Sequence, residues 1–132
     1  MMTGRLATDE RWQEVLIDAI GEDAFCLLSE NYGGLRIYVP ENLDRSTLPS
    51  VMGRETAALL AARYPNDYIR VPLSKEWRAL RYREAGITNR AIARRLGMTE
   101  NGVMKIFQRD RRRGSKLADP RKKAERRPDL FD

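Results

Sequence analysis

Apolar residues recur at helical spacing at the start of the chain. Trp12, Val15, Leu16, Ala19 and Ile20 line one side of a predicted helix. Thr8 stands where a cap is needed, Asp9 and Glu10 suit the positive N-terminal end, and Gly21 stops the run. Glu22 and Asp23 open a second helix, in which Ala24, Phe25, Cys26, Leu27 and Leu28 are apolar almost all round. Such a helix is covered on more than one side. In so small a module a second subunit is one way to supply the second cover. Cys26 reads as a small buried hydrophobe rather than a reactive thiol.

The period then changes from helical to alternating. In "NYGGLRIYVP", residues 31–40, Leu35, Ile37 and Val39 face one way and Arg36 and Tyr38 the other, which predicts a strand over 35–39 closed by Pro40. Tyr32 ends the preceding helix and Gly33-Gly34 make the turn, where Gly33 is expected to take a positive φ. Residues 41–53 look irregular or hold a short helical turn. Glu55 to Tyr64 form a third helix, with Ala57, Leu60, Ala61 and Tyr64 on one face. "YPNDYIRVP", residues 64–72, repeats the order of tyrosine, turn, alternation and proline. It reads either as a second strand or as an extended linker ended by Pro72.

From Ser74, a predicted cap, the pattern is helical again. Trp77, Leu80 and Ala85 support a helix ended by Gly86. Thr88 caps "NRAIARRL", and Thr99 caps "ENGVMKIFQRD". Ile92, Leu96, Met98, Val103 and Ile106 are spaced to share one small core, Ala93 is small where the two helices cross, and Gly97 suits the left-handed turn between them. This is the pattern of a helix-turn-helix, with an ordinary helical hairpin as the plainer alternative. The stretch 114–132 is poor in apolar residues and holds two prolines, so it is expected to be a disordered basic tail.

Charge sharpens the division. Residues 1–76 hold 8 Lys and Arg against 12 Asp and Glu, whereas residues 77–113 hold 11 against 3. An acidic first half joined to a basic second half implies two modules with different partners. The chain has no histidine and one cysteine, which removes the commonest general base, any internal disulfide and any ordinary zinc site. No enzyme activity, metal or cofactor is expected. The lone cysteine fits a reducing, cytoplasmic compartment, and neither a membrane-length apolar run nor a signal-peptide core is present.

The outward residues of the last helix are suited to DNA. With Val103 and Ile106 turned inward, Glu100, Asn101, Met104, Lys105 and Gln108 face out as candidate readers of base edges. Thr88, Thr99, Arg90, Arg94, Arg95, Arg109, Arg111 and Arg112 are candidate phosphate contacts, and Arg113 adds non-specific attraction. Gly102, costly inside a helix, is read as allowing close backbone approach to the DNA.

Three stretches carry a family resemblance: "IGEDAFCLLSENYGGLRIYVP", "YIRVPLSKEWRALRYREAG" and "ITNRAIARRLGMTENGVMKIFQRD". Together they span about residues 12 to 112, and in them the chain resembles the Mor transcription activator family of phage and prophage middle- and late-gene activators. The resemblance implies a homodimer with intertwined N-terminal helices, in which the strand pairs with its counterpart across the two-fold axis. Trp12, Leu16, Phe25, Leu28, Leu35, Ile37 and Val39 would then form the interface. Pairing of the strand with Tyr68 to Val71 of the same chain is the alternative. The resemblance also implies that Gly33, Gly34, Arg36 and Tyr38 lie near the minor groove, and that the protein works in a bacterial host by contacting RNA polymerase.

The expected fold is therefore mainly α. A helical dimerisation domain with one short strand occupies 1–64, a linker 65–73, and a helix-turn-helix domain 74–113. The expected function is that of a sequence-specific transcription activator on double-stranded DNA. A repressor with the same DNA-binding half, an accessory module of a recombinase or transposase system, and a protein-interaction dimer that binds no DNA are the alternatives.

Overall fold

The computed structural model describes residues 8–114, which form a mainly helical chain with one short two-stranded sheet. The tail beyond Gly114, expected to be disordered, lies outside the described residues. The chain divides into two compact units, Met1–Ser74 and Lys75–Asp132. Among the described residues no helix is long and apolar enough to cross a membrane.

The first unit begins with α1 (Thr8–Ile20) and α2 (Glu22–Tyr32). Leu16 and Ile20, one turn apart, are the buried residues of α1. Trp12, a turn earlier, is half-buried and packs against Tyr64 with ring centroids 5.7 Å apart. In α2, Ala24, Phe25, Leu28 and Ser29 turn inward. A 3₁₀ turn at Leu43–Arg45 and the short α3 (Leu48–Met52) fill the stretch that looked irregular. α4 (Arg54–Arg63) then packs on α1 and α3, with Ala57, Leu60 and Ala61 buried. Burial of a leucine or phenylalanine contributes about 1.5–3 kcal/mol, and Leu16, Phe25, Leu28 and Leu60 are all fully enclosed.

The strand β1 (Arg36–Val39) pairs antiparallel with β2 (Asp67–Arg70) of the same chain. The register sets Arg36 against Arg70, Ile37 against Ile69, Tyr38 against Tyr68 and Val39 against Asp67. Gly34 N–H donates to the Val71 carbonyl at 2.7 Å and Val71 N–H to the Leu35 carbonyl at 2.8 Å, which extends the ladder. The pairing seen is the in-chain alternative, made along one edge of β1. The backbone groups on the inner edge of β1 find their partners in β2 of the same chain. The expected linker over 65–73 is corrected, since this stretch carries β2 and belongs to the first unit.

Four of the expected interface residues are corrected for the same reason. Leu16, Phe25, Leu28 and Val39 are fully buried in the core of their own unit, so they are not available to a partner. Ile37 is half-buried, and Leu35, at 54 % exposure, is the most accessible of the set. The all-round apolar helix needs no second subunit to cover Phe25 or Leu28, although Leu27 remains exposed and Cys26 is only half-buried.

One local expectation changes as well. Gly33 has φ −55, and the positive φ of 88 falls on Gly34. A Cβ on Gly33 would still lie 2.5 Å from the Ser29 carbonyl oxygen and 3.2 Å from Leu73 Cα, so close packing rather than handedness selects glycine there. Ser29, fully enclosed, donates its hydroxyl to the Pro72 carbonyl at 2.7 Å, with the Leu73 carbonyl at 3.0 Å. This hydroxyl holds the segment after β2 against α2. Ser74 has φ 48, and its hydroxyl donates to Gln13 Oε1 at 2.6 Å.

The second unit is three helices, α5 (Lys75–Glu84), α6 (Asn89–Leu96) and α7 (Glu100–Arg112). Its core is Ala79, Tyr82, Ile92, Ala93, Leu96, Val103, Ile106 and Phe107. Of the residues expected to fill this core, Met98 alone is half-buried. Arg78, 5 % exposed, lies in the core and donates through Nε to the Tyr82 hydroxyl at 3.1 Å.

Candidate nucleic-acid interface

The arrangement of α6 and α7 follows from three residues at their ends. Thr88 is extended and its Oγ accepts from Ala91 N–H at 3.2 Å, which starts α6. Gly97 takes the left-handed conformation, φ 66 and ψ 38, and its N–H meets the Ala93 and Arg94 carbonyls. Such a residue ends a helix at no steric cost only if it lacks a Cβ. Thr99 then repeats the capping, its Oγ accepting from Gly102 N–H at 3.0 Å. A side-chain cap of this kind contributes about 1 kcal/mol. The three residues 97–99 therefore turn the chain sharply between two helices whose starts are both capped.

Helical phase does the rest. Val103, Ile106, Phe107 and Asp110 face the core of the unit, so Glu100, Asn101, Met104, Lys105 and Gln108 come to the outside. All five are exposed. Gly102 does not join them. It is half-buried, and a Cβ there would meet Met98 Cε at 3.2 Å and Thr99 Oγ at 3.3 Å. Gly102 makes room for the cap and for Met98.

The cations divide into two groups. Arg90, Arg94, Arg111 and Arg112 are exposed. Arg109 and Arg113 are tied to Glu76 on α5, with Arg109 Nη2 at 2.7 Å and Nε at 3.2 Å and Arg113 Nη2 at 3.0 Å. Burial raises the proton affinity of the Glu76 carboxyl, but hydrogen bonds and charge from Arg109 and Arg113 outweigh it and hold the pKa below the ordinary value of 4.5. Arg109 therefore braces α7 on α5 with two of its donors. Arg95 lies over the Tyr82 ring, 5.0 Å from its centroid, while remaining exposed. Thr88 and Thr99, both exposed, use their oxygens for capping and sit at the positive ends of their helices.

A residue missing from the sequence reading enters here. Arg83, at the end of α5, stacks on Phe107 with its guanidinium 4.4 Å from the ring centroid. Burial lowers its pKa, the nearby Arg111 lowers it further, and Asp110 offsets part of this. Arg83 and Arg111 line a cavity of about 430 Å³ together with Ile87, Glu100, Met104 and Gln108. Position 83 carries no periodic or capping signal that would have singled it out, since its role depends on α5 and α7 meeting.

The glycine turn and strand residues lie in the first unit. Arg36 sits over the Tyr68 ring at 4.5 Å, and Tyr38 meets the same ring edge-on at 5.2 Å. They form an exposed aromatic and cationic face of the ribbon, opposite the face that carries Ile37 and Ile69. Among the described residues no three histidine, cysteine, aspartate or glutamate side chains gather as a metal site. What the second unit offers is a row of exposed side chains on α7, Glu100, Asn101, Met104, Lys105 and Gln108, with the exposed Arg90, Arg94, Arg111 and Arg112 on the same two helices.

Comparison with protein-family models, with curated proteins and with solved structures finds no match to this chain.

Proposed function

We propose that the chain is a sequence-specific DNA-binding transcription regulator, an activator of the Mor type that it resembles. In this reading α6, the Gly97 turn and α7 form a helix-turn-helix, and α7 enters the major groove. The carrying observation is the exposure of Glu100, Asn101, Met104, Lys105 and Gln108 on the side of α7 away from its core. Asparagine and glutamine pair with adenine edges, lysine with guanine, and a carboxylate with the cytosine amino group. Arg83, Arg90, Arg94, Arg95, Arg111 and Arg112 supply phosphate attraction, and the capped starts of α6 and α7 add their positive ends.

The protein acts as a homodimer on inverted half-sites. Its contact surface is drawn from the apolar side chains that the first unit leaves exposed, such as Leu35, Tyr38 and Tyr68, rather than from the buried set. Bound beside a promoter, the dimer contacts host RNA polymerase.

Selection of duplexes from a random DNA pool at two salt concentrations tests the reading. An enriched motif of two inverted half-sites is expected. Asn101→Ala combined with Lys105→Ala is expected to abolish discrimination between sites while leaving the fold and the dimer intact. Sequence-blind retention that collapses with salt would leave only a non-specific polyanion binder. Transcription from a template carrying the motif, with bacterial RNA polymerase, then separates activation from repression.

A further inference from the structure

Met104 is the one large apolar side chain that stands exposed, at 47 %, among the described residues of the second unit. The core of the unit does not use it, because α7 packs through Val103, Ile106 and Phe107. It sits one turn from Glu100 on one side and from Gln108 on the other, so an apolar group interrupts a row of polar ones. It shares the wall of the 430 Å³ cavity with Ile87 and Phe107, and the polar residues Glu100, Gln108, Arg83 and Arg111 complete the lining.

Each polar neighbour has a base-edge partner of its own kind. A thioether does not. Set against an amino group or a carbonyl, it would strip water and return no hydrogen bond. The major groove presents one group that rewards apolar contact, the 5-methyl of thymine. The methionine side chain is flexible and polarisable, and it can follow such a methyl into a shallow recess.

We propose that Met104 is a specificity-determining residue that selects thymine in each half-site by packing on its 5-methyl group. This rests on the reading of α7 as a recognition helix and adds to it the identity of one base. Burying a single methyl is worth about a fourfold change in affinity.

The test replaces each thymine of the selected site in turn by deoxyuridine, which removes only the methyl. Binding of the full chain is measured at fixed salt for the wild type, Met104→Ala and Met104→Leu. For the wild type, one thymine per half-site is expected to lose about fourfold in affinity on replacement. Met104→Ala should bind thymine and uracil equally at that position, and Met104→Leu should keep the preference. An unchanged thermal melt of Met104→Ala separates lost contact from lost fold. The same uracil profile in wild type and Met104→Ala overturns the assignment, and the DNA reading then still stands on the enriched motif. Failure to enrich any motif overturns both.

Discussion

The two units close their chains over different distances. In the first, β1 is completed by β2, Ser29 reaches carbonyls 43 and 44 residues on, and Arg70 Nε bonds Asp9 Oδ1 at 2.7 Å across 61 residues. In the second, residues 85–88 separate α5 from α6 and residues 97–99 separate α6 from α7. The caps and turn that set the α6–α7 geometry act within four residues of themselves. A turn built from neighbours tolerates local damage in proportion to the local term lost. A unit closed by distant segments concentrates its dependence on a few buried positions, because loop closure must be offset before any of its contacts form.

The largest effect is expected where distant elements share one core. Phe25→Ala should destabilise the first unit by about 3–5 kcal/mol. Its signals should melt early while those of the second unit keep their transition, seen residue by residue in a thermal series of amide spectra. Loss of both units together would mean that they fold as one.

Gly33→Val comes next. A Cβ on Gly33 would lie 2.5 Å from the Ser29 carbonyl oxygen and 3.2 Å from Leu73 Cα, so it must shift both the end of α2 and the segment after β2, at a cost of about 1–3 kcal/mol. Denaturant midpoints measure it, and an unaltered midpoint would mean that the turn gives way freely. In the second unit Gly97→Ala is expected to cost about 1–2 kcal/mol. No atom lies within 4 Å of the added Cβ, so the penalty is one of left-handed conformation alone. A cost for Gly97→Ala above that for Gly33→Val would reverse the contrast between local and distant dependence.

The smallest expected effect is at the brace of the second unit. Glu76→Gln should cost about 0.5 kcal/mol at neutral pH, since the bridges to Arg109 and Arg113 are partly exposed. The folded pKa of Glu76 lies below 4.5, so its contribution is present above that value and is lost as pH falls through the folded pKa. The gap between wild type and Glu76→Gln should therefore close in acid. A gap that persisted there would place the effect in packing rather than in charge.

What could be read from the chain differs between the units in the same way. The helical period placed Ile92, Leu96, Val103 and Ile106 inside, and Thr88, Gly97 and Thr99 at the helix ends, because each choice depends on neighbours within one or two turns. The alternation of 35–39 gave the faces of the strand but not its partner. Two candidates, a second copy and residues 68–71, satisfied the same pattern. Leu16, Phe25, Leu28 and Val39 read as apolar surface seeking cover, and whether that cover comes from this chain or another is not a property of their spacing. Arg83 was silent for a related reason: its stacking on Phe107 joins two helices that the linear pattern treats one at a time.

By itself, then, the sequence determined the helical content, the acidic and basic halves, the capped turn between α6 and α7 and the outward row on α7. All of these rest on helical phase, capping and net charge, which act over a few residues or over a whole segment. Tertiary structure alone decided that β1 pairs with β2, that Ser29 fastens the end of the first unit, that Gly33 is needed for space rather than for handedness, and that Arg109 is held by Glu76. Each of these joins segments far apart in the chain, and only their packing chooses among partners that local physics leaves equivalent.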